Sequence, residues 1–199
     1  MNLPTVDDDP FSSAALERAV AEHPRDGRWR YLRGADHASA GRYEDAIADL
    51  QAALRLDDGL HAARLQLGLL HLTLGQGAAA EATLRPLEAL SQHDPLRLFA
   101  HGLRALIADD LATCMGCLEE GIRLNVALPP LNRDMALLLE RVRSAALTGA
   151  TIANATIADA TIADATIADA AAADAPPPPP SRPAARPRSL SLYDTEPDT

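Results

Sequence analysis

Lysine is absent from the 199 residues, so all 18 basic side chains are arginine, and 28 acidic ones outnumber them. The net charge of -10 is spread without a basic stripe, which excludes a phosphate-neutralising surface and with it nucleic acid as a partner. Aromatic residues are 3% of the chain, so small and medium aliphatic side chains must do the packing. The two cysteines, Cys114 and Cys117, are too few for a disulfide scaffold and fit a reducing compartment. No window approaches the roughly 18 apolar residues of a membrane span. The nearest, Leu65 to Leu74, is interrupted by Gln66, Gly68, His71 and Thr73. Met1 to Asp9 is acidic and lacks the basic-then-apolar order of a secretory signal, so a cytoplasmic location is expected. What is plentiful is Ala and Leu, both strong helix formers, while β-branched residues are sparse before residue 150. The composition predicts an all-α chain.

Residues 34 positions apart align without gaps. Gly34, Gly68 and Gly102 form one column, and Gly41, Gly75 and Asp109 another. Ala46, Ala80 and Cys114 form a third, and Leu50, Leu84 and Leu118 a fourth. Apolar residues at spacings of three and four flank the second glycine column on both sides, so each unit reads as helix, tight turn, helix. The glycine after the first helix supplies the left-handed conformation that ends it, with Asp109 as a tolerated substitute. Small residues in the first and third columns let two helix axes approach closely.

Arg33-Gly34, then Gly41-Arg42-Tyr43-Glu44-Asp45-Ala46-Ile47, Asp49-Leu50 and Ala53-Leu54 resemble a tetratricopeptide repeat. The second copy keeps Leu67-Gly68, Gly75, Ala80 and Leu84; the third keeps Gly102 and Leu118 but departs at Asp109, Cys114 and Gly121. The resemblance implies a right-handed superhelical solenoid of helical hairpins. Its expected layout is a flexible segment 1–11, a capping helix in 12–26, repeats at 27–60, 61–94 and 95–128, a second cap at 129–147 and a disordered tail 148–199. Capping helices are needed because an uncapped repeat exposes an apolar face. In the final helix Leu137, Leu138 and Leu139 are expected inward, with Arg133, Asp134, Glu140 and Arg141 facing water.

In this family the first helix of each hairpin lines the concave side. The implied groove rows are Tyr31, Leu65 and Phe99; Ala35, Leu69 and Leu103; Ala38, Leu72 and Leu106; and Ser39, Thr73 and Ile107. Ala and Leu stand where some members clamp a terminal carboxylate with Lys, Asn and Arg, so that mode is rejected. An apolar groove suits an amphipathic helix or an extended hydrophobic segment of a protein partner. It is similar to secretion chaperones that shield apolar translocators in bacterial cytoplasm. The alternative is that the face is covered by the chain itself, through Leu3, Val6 and Phe11 or Leu190, Leu192 and Tyr193, or by a second copy in a homodimer.

No residue set reads as catalytic. The Cys114-Met115-Gly116-Cys117 run lacks further cysteines to complete a zinc site, and Cys114 replaces a packing alanine. His37 and His71 share a column, and equivalent positions of neighbouring repeats stand about 8 to 10 Å apart, too far for one metal, so packing is expected. His23, His61, His93 and His101 are scattered, and no phosphate-binding glycine loop occurs, so neither cofactor nor metal is expected. The resemblance pairs Arg33 with Asp49 across the first hairpin, at about 0 to 1 kcal/mol if partly exposed. Pro86 is expected to kink its helix.

Four copies of Ala-Thr-Ile-Ala-Asp or its Asn variant fill Ala150 to Asp169. Ala153-Asn154 and Ala158-Asp159 resemble the small-then-Asx pattern of pentapeptide-repeat proteins, but Ala155 and Ala160 replace the bulky residue that fills their β-helix. Disorder or transient helix is expected, with Pro176 to Pro180 a stiff spacer. Pro177, Pro180 and Arg182 match the spacing of a ligand for proline-binding domains, with a plain linker the competing reading. Ser189 to Tyr193 is the remaining apolar cluster, a short docking motif or a plug for the groove.

Overall fold

The computed structural model describes residues 11–148; the expectations for 1–10 and for the tail from 149 onward lie outside the described residues. Among the described residues are eight α-helices, α1 (Ser13–Glu22), α2 (Gly27–Ser39), α3 (Tyr43–Leu56), α4 (His61–Thr73), α5 (Gly77–Leu84), α6 (Pro95–Ile107), α7 (Leu111–Leu124) and α8 (Pro129–Thr148). Three hairpins, α2 with α3, α4 with α5 and α6 with α7, pack in sequence, with α1 against α2 and α8 against α7.

One turn geometry recurs three times. The Gly41, Gly75 and Asp109 amides donate to Ala38, Leu72 and Leu106, and the next amides, of Arg42, Gln76 and Asp110, reach back to His37, His71 and Ala105 at 2.8, 2.8 and 2.9 Å. This is the Schellman pattern, which satisfies the last carbonyls of a helix and needs a left-handed residue. Gly41, Gly75 and Asp109 supply it at φ 71°, 70° and 60°. The other glycine column serves close approach instead. A Cβ on Gly68 would lie 2.5 Å from Leu84 Cγ, so α4 and α5 touch through a Gly–Leu contact that recurs between Gly34 and Leu50 and between Gly102 and Leu118. Each helix pair is thus set by one small residue facing one large one.

Two apolar clusters share α4. One joins α1, α2 and α3 to Ala63, Leu67 and Leu70; the other joins Leu65, Leu69 and Leu72 to α5 through α8. Accordingly 11 of the 13 residues of α4 are buried, Arg64, Gln66, His71 and Thr73 among them, as befits a helix packed on two sides. Pro86 does more than kink its helix. α5 stops at Leu84 and continues as a 3₁₀ turn over Arg85–Ala89, because proline removes a backbone donor and clashes with the preceding turn.

The first hairpin carries the expected ion pair. Arg33 Nε and Nη2 donate to the two Asp49 oxygens at 2.6 and 2.7 Å, with Arg30 at 3.6 Å and His37 Nε2 at 3.5 Å. The Asp49 side chain is only 7% exposed. Breaking this pair leaves a buried carboxylate short of donors, so its removal costs roughly 1 to 3 kcal/mol, more than an exposed pair would.

Two expectations for α8 are corrected. Asp134 is buried and Leu137 is half exposed, because the inward stripe is Leu131, Met135, Leu138, Val142 and Ala145. At 100° per residue position 134 stands beside Ala145 at the edge of that stripe, and position 137 lies further round, beyond it. The α7–α8 turn is held by an amide clasp. Buried Asn125 donates to Leu128 O and Asn132 Oδ1 and accepts from Leu128 N, while Asn132 Nδ2 donates to Asn125 O.

Candidate functional site

The rows expected to line an open groove are divided between the two apolar clusters, and seven of their eight large side chains are core. Tyr31 belongs to the first cluster, and Leu65, Leu69, Leu72, Phe99, Leu103 and Leu106 to the second. None is more than 4% exposed, so none is an accessible anchor in this structure. The physical reason lies in α4 and α6. Their apolar residues serve the second cluster, where Phe99 is so closely packed that a Cβ on Gly121 would lie 2.5 Å from its ring. The signature residues Gly34, Gly41, Ala46, Gly68, Gly75, Ala80 and Gly102 stand at the turns and helix contacts.

Ile107 is the exception, half-buried at the end of α6. It abuts the second hairpin's turn, 3.8 Å from where a Cβ on Gly77 would stand. It also lines a recess of about 470 Å³ with Glu81, His101, Arg104, Ala105, Ala108, Asp110 and Thr113.

The 34-residue register explains this recess. In the first hairpin His37 Nδ1 accepts from Arg42 Nε at 3.0 Å, and in the second His71 Nδ1 lies 2.6 Å from Gln76 Oε1. An imidazole therefore bridges the turn to the residue five positions on. The third copy has Ala105 and Asp110 in these two columns. Alanine cannot span the turn, and Asp110 instead caps α7, its Oδ1 accepting from the Thr113 amide at 3.1 Å.

Two carboxylates, Glu81 and Asp110, share the lining of the recess with Arg104 and His101. Arg104 donates from Nε and Nη2 to Glu81, both at 2.8 Å, and also pairs with Glu88, while His101 Nδ1 lies 3.8 Å from Glu88. The hydrogen bond from Arg104 holds the Glu81 carboxyl below its ordinary range, and bonds from Thr113 do the same for Asp110. Glu81 and Glu88 thus share the Arg104 guanidinium, and Asp110 lines the recess outside that group. Sequence reasoning passed over Ala105, Asp110, Glu81 and Arg104, although the loss of histidine from a column it had already identified was a visible signal.

A second, more open depression of about 790 Å³ lies where the α1–α2 turn meets the end of α3, lined by His23, Arg25, Arg28, Leu56 and Asp57 among others. Elsewhere the chemistry is quiet. Among the described residues no group of three or more His, Cys, Asp or Glu could hold a metal ion. Burial pushes the Cys114 thiol up to about 12 and raises Cys117 as well, so both stay protonated thiols. No helix among the described residues is long and apolar enough to cross a membrane.

Two tetratricopeptide-repeat family models match the chain, one over residues 37–106 and the other over 12–61. With the hairpin geometry they establish that the chain is a tetratricopeptide-repeat protein. Over 87 residues it is 33% identical to anaphase-promoting complex subunit cut9 of Schizosaccharomyces pombe (strain 972 / ATCC 24843), a match covering 44% of this chain and 13% of that protein. No solved structure matches the chain. Tetratricopeptide repeats generally mediate protein–protein interactions, and the family is generally non-catalytic.

Proposed function

We propose that this chain is a non-catalytic adaptor that holds a segment of another protein against its array of hairpins. The observation that carries this reading is the tetratricopeptide signature over residues 12–106, repeated in three hairpins with one turn geometry. The resemblance of one stretch to a subunit of the anaphase-promoting complex agrees with a place in a protein assembly, and a chaperone for one hydrophobic client is a narrower form of the same role.

Burial of Leu65, Leu69 and Leu72 within a single chain favours a second reading, in which the inner rows are closed by the chain itself; closure by a second copy in a dimer is its alternative form. The two readings differ in what reaches the array. Cross-linking of the intact chain in extracts of its source cells, followed by mapping of the linked peptides, tests the first. Recurrent links between α6 or α7 and one other protein support the adaptor role; links confined to this chain, with a light-scattering mass of two chains, support self-coverage. Turnover of a substrate by the purified chain would overturn both.

A further inference from the structure

The third hairpin lacks the histidine that closes the first two, and what is left open has a definite chemistry. Its floor is apolar, from Ala105, Ile107 and Ala108, and its wall carries Glu81 and Asp110 with Arg104 shared between Glu81 and Glu88. We propose that this recess is a docking point for an arginine or lysine side chain flanked by aliphatic residues in the partner protein, a cation standing where His37 and His71 stand in the other hairpins. The proposal rests on the adaptor reading and adds the partner's chemistry.

Charge complementarity argues for a cation over an anion. Arg104 is already engaged by two carboxylates, so an acidic side chain entering the recess meets Glu81 and Asp110 without a spare guanidinium, and like charges at such range repel. A long basic side chain lays its methylenes on Ala105 and Ile107 and directs its head toward Asp110, which combines apolar contact with a charged end. The geometry of the first two hairpins supports the position: there the same columns place a nitrogen-bearing ring against Arg42 or Gln76 across the turn.

The test uses the full chain and two blocked, fluorescently labelled peptides, acetyl-Ala-Leu-Arg-Leu-Ala-amide and its counterpart with glutamate replacing arginine. Fluorescence anisotropy is expected to detect binding of the arginine peptide and none of the glutamate peptide. Ala105→His fills the recess with the residue that the other hairpins already accommodate, and is expected to weaken binding at least about tenfold with an unchanged helical circular dichroism spectrum. Asp110→Asn keeps a side chain able to cap α7 and is expected to weaken the arginine peptide while leaving the fold intact. Equal binding of both peptides, or undiminished binding by Ala105→His, overturns the proposal. So does a wild-type chain indifferent to the arginine peptide, the result expected if another part of the chain fills the recess. Capture experiments separate this from the broader role: a native partner retained by Ala105→His refutes the recess alone, whereas no partner for the wild type refutes the adaptor reading.

Discussion

Leu103 distinguishes a core residue from a groove anchor. It is fully buried in the cluster that joins α4 to α5 through α8, and Leu103→Ala removes three carbon atoms from that site. At about 0.8 kcal/mol for each buried methylene, transfer alone accounts for about 2.4 kcal/mol, and the cavity left behind brings the cost to roughly 3 kcal/mol. With an unfolding entropy of about 2.1 cal/mol/K per residue, the 138 residues from 11 to 148 convert this to a fall in Tm of roughly 10 °C. Leu137, on the outer side of α8 and 48% exposed, is the control, and Leu137→Ala is expected to cost under about 1 kcal/mol. Urea unfolding followed by far-ultraviolet circular dichroism reads both from the midpoint at constant slope. If the two substitutions shift the midpoint equally, Leu103 is not part of the core and the burial argument fails.

Gly121→Ala brings a methyl into the Phe99 ring and is expected to cost about 1 to 3 kcal/mol in the same assay, with Phe99→Leu relieving part of it when combined; additive losses would show that the two do not meet. Alkylation at pH 8, read by mass spectrometry, is expected to modify Cys117 first and Cys114 only on unfolding, since Cys114 is buried and that burial pushes its thiol up to about 12; earlier modification of Cys114 would contradict its packing. The carboxyls of Asp26, Glu81 and Glu120 are held low mainly by hydrogen bonds from Arg28, Arg104 and Arg123. A lowered folded pKa means fewer protons bound than in the unfolded chain, so their contribution is present above the ordinary values of 3.8 and 4.5 and lost as pH falls through the folded values. The urea midpoint is therefore expected to fall below about pH 4.5, and a midpoint rising on acidification would refute the sign.

The hairpins were legible because they rest on local requirements. A left-handed turn residue, a small residue opposite Leu50, Leu84 or Leu118, and apolar spacing of three and four all leave marks at fixed intervals. What faces solvent was less legible, since it depends on how neighbouring hairpins cross. Leu69 and Leu103 occupy columns that the family resemblance assigns to a groove, yet Leu65, Leu67, Leu69, Leu70 and Leu72 spread over most of the α4 circumference, which is the pattern of a buried helix. Asp134 and Leu137 were misplaced because three consecutive leucines cannot all face inward at 100° per residue. The recess was readable only as a missing side chain, the alanine at 105 below two histidines, and its lining draws on Glu81 from the preceding hairpin.

The most direct test of the adaptor role is affinity capture from source cells with the intact chain, Ile107→Glu and Leu56→Glu. Leu56 is 42% exposed at the far depression, and Ile107 lines the recess. The account predicts a protein partner retained by wild type and Leu56→Glu and lost with Ile107→Glu, all three equally helical. The lack of any partner for the wild type would contradict the adaptor role, and retention by Ile107→Glu, or loss with Leu56→Glu alone, would refute the recess as its site.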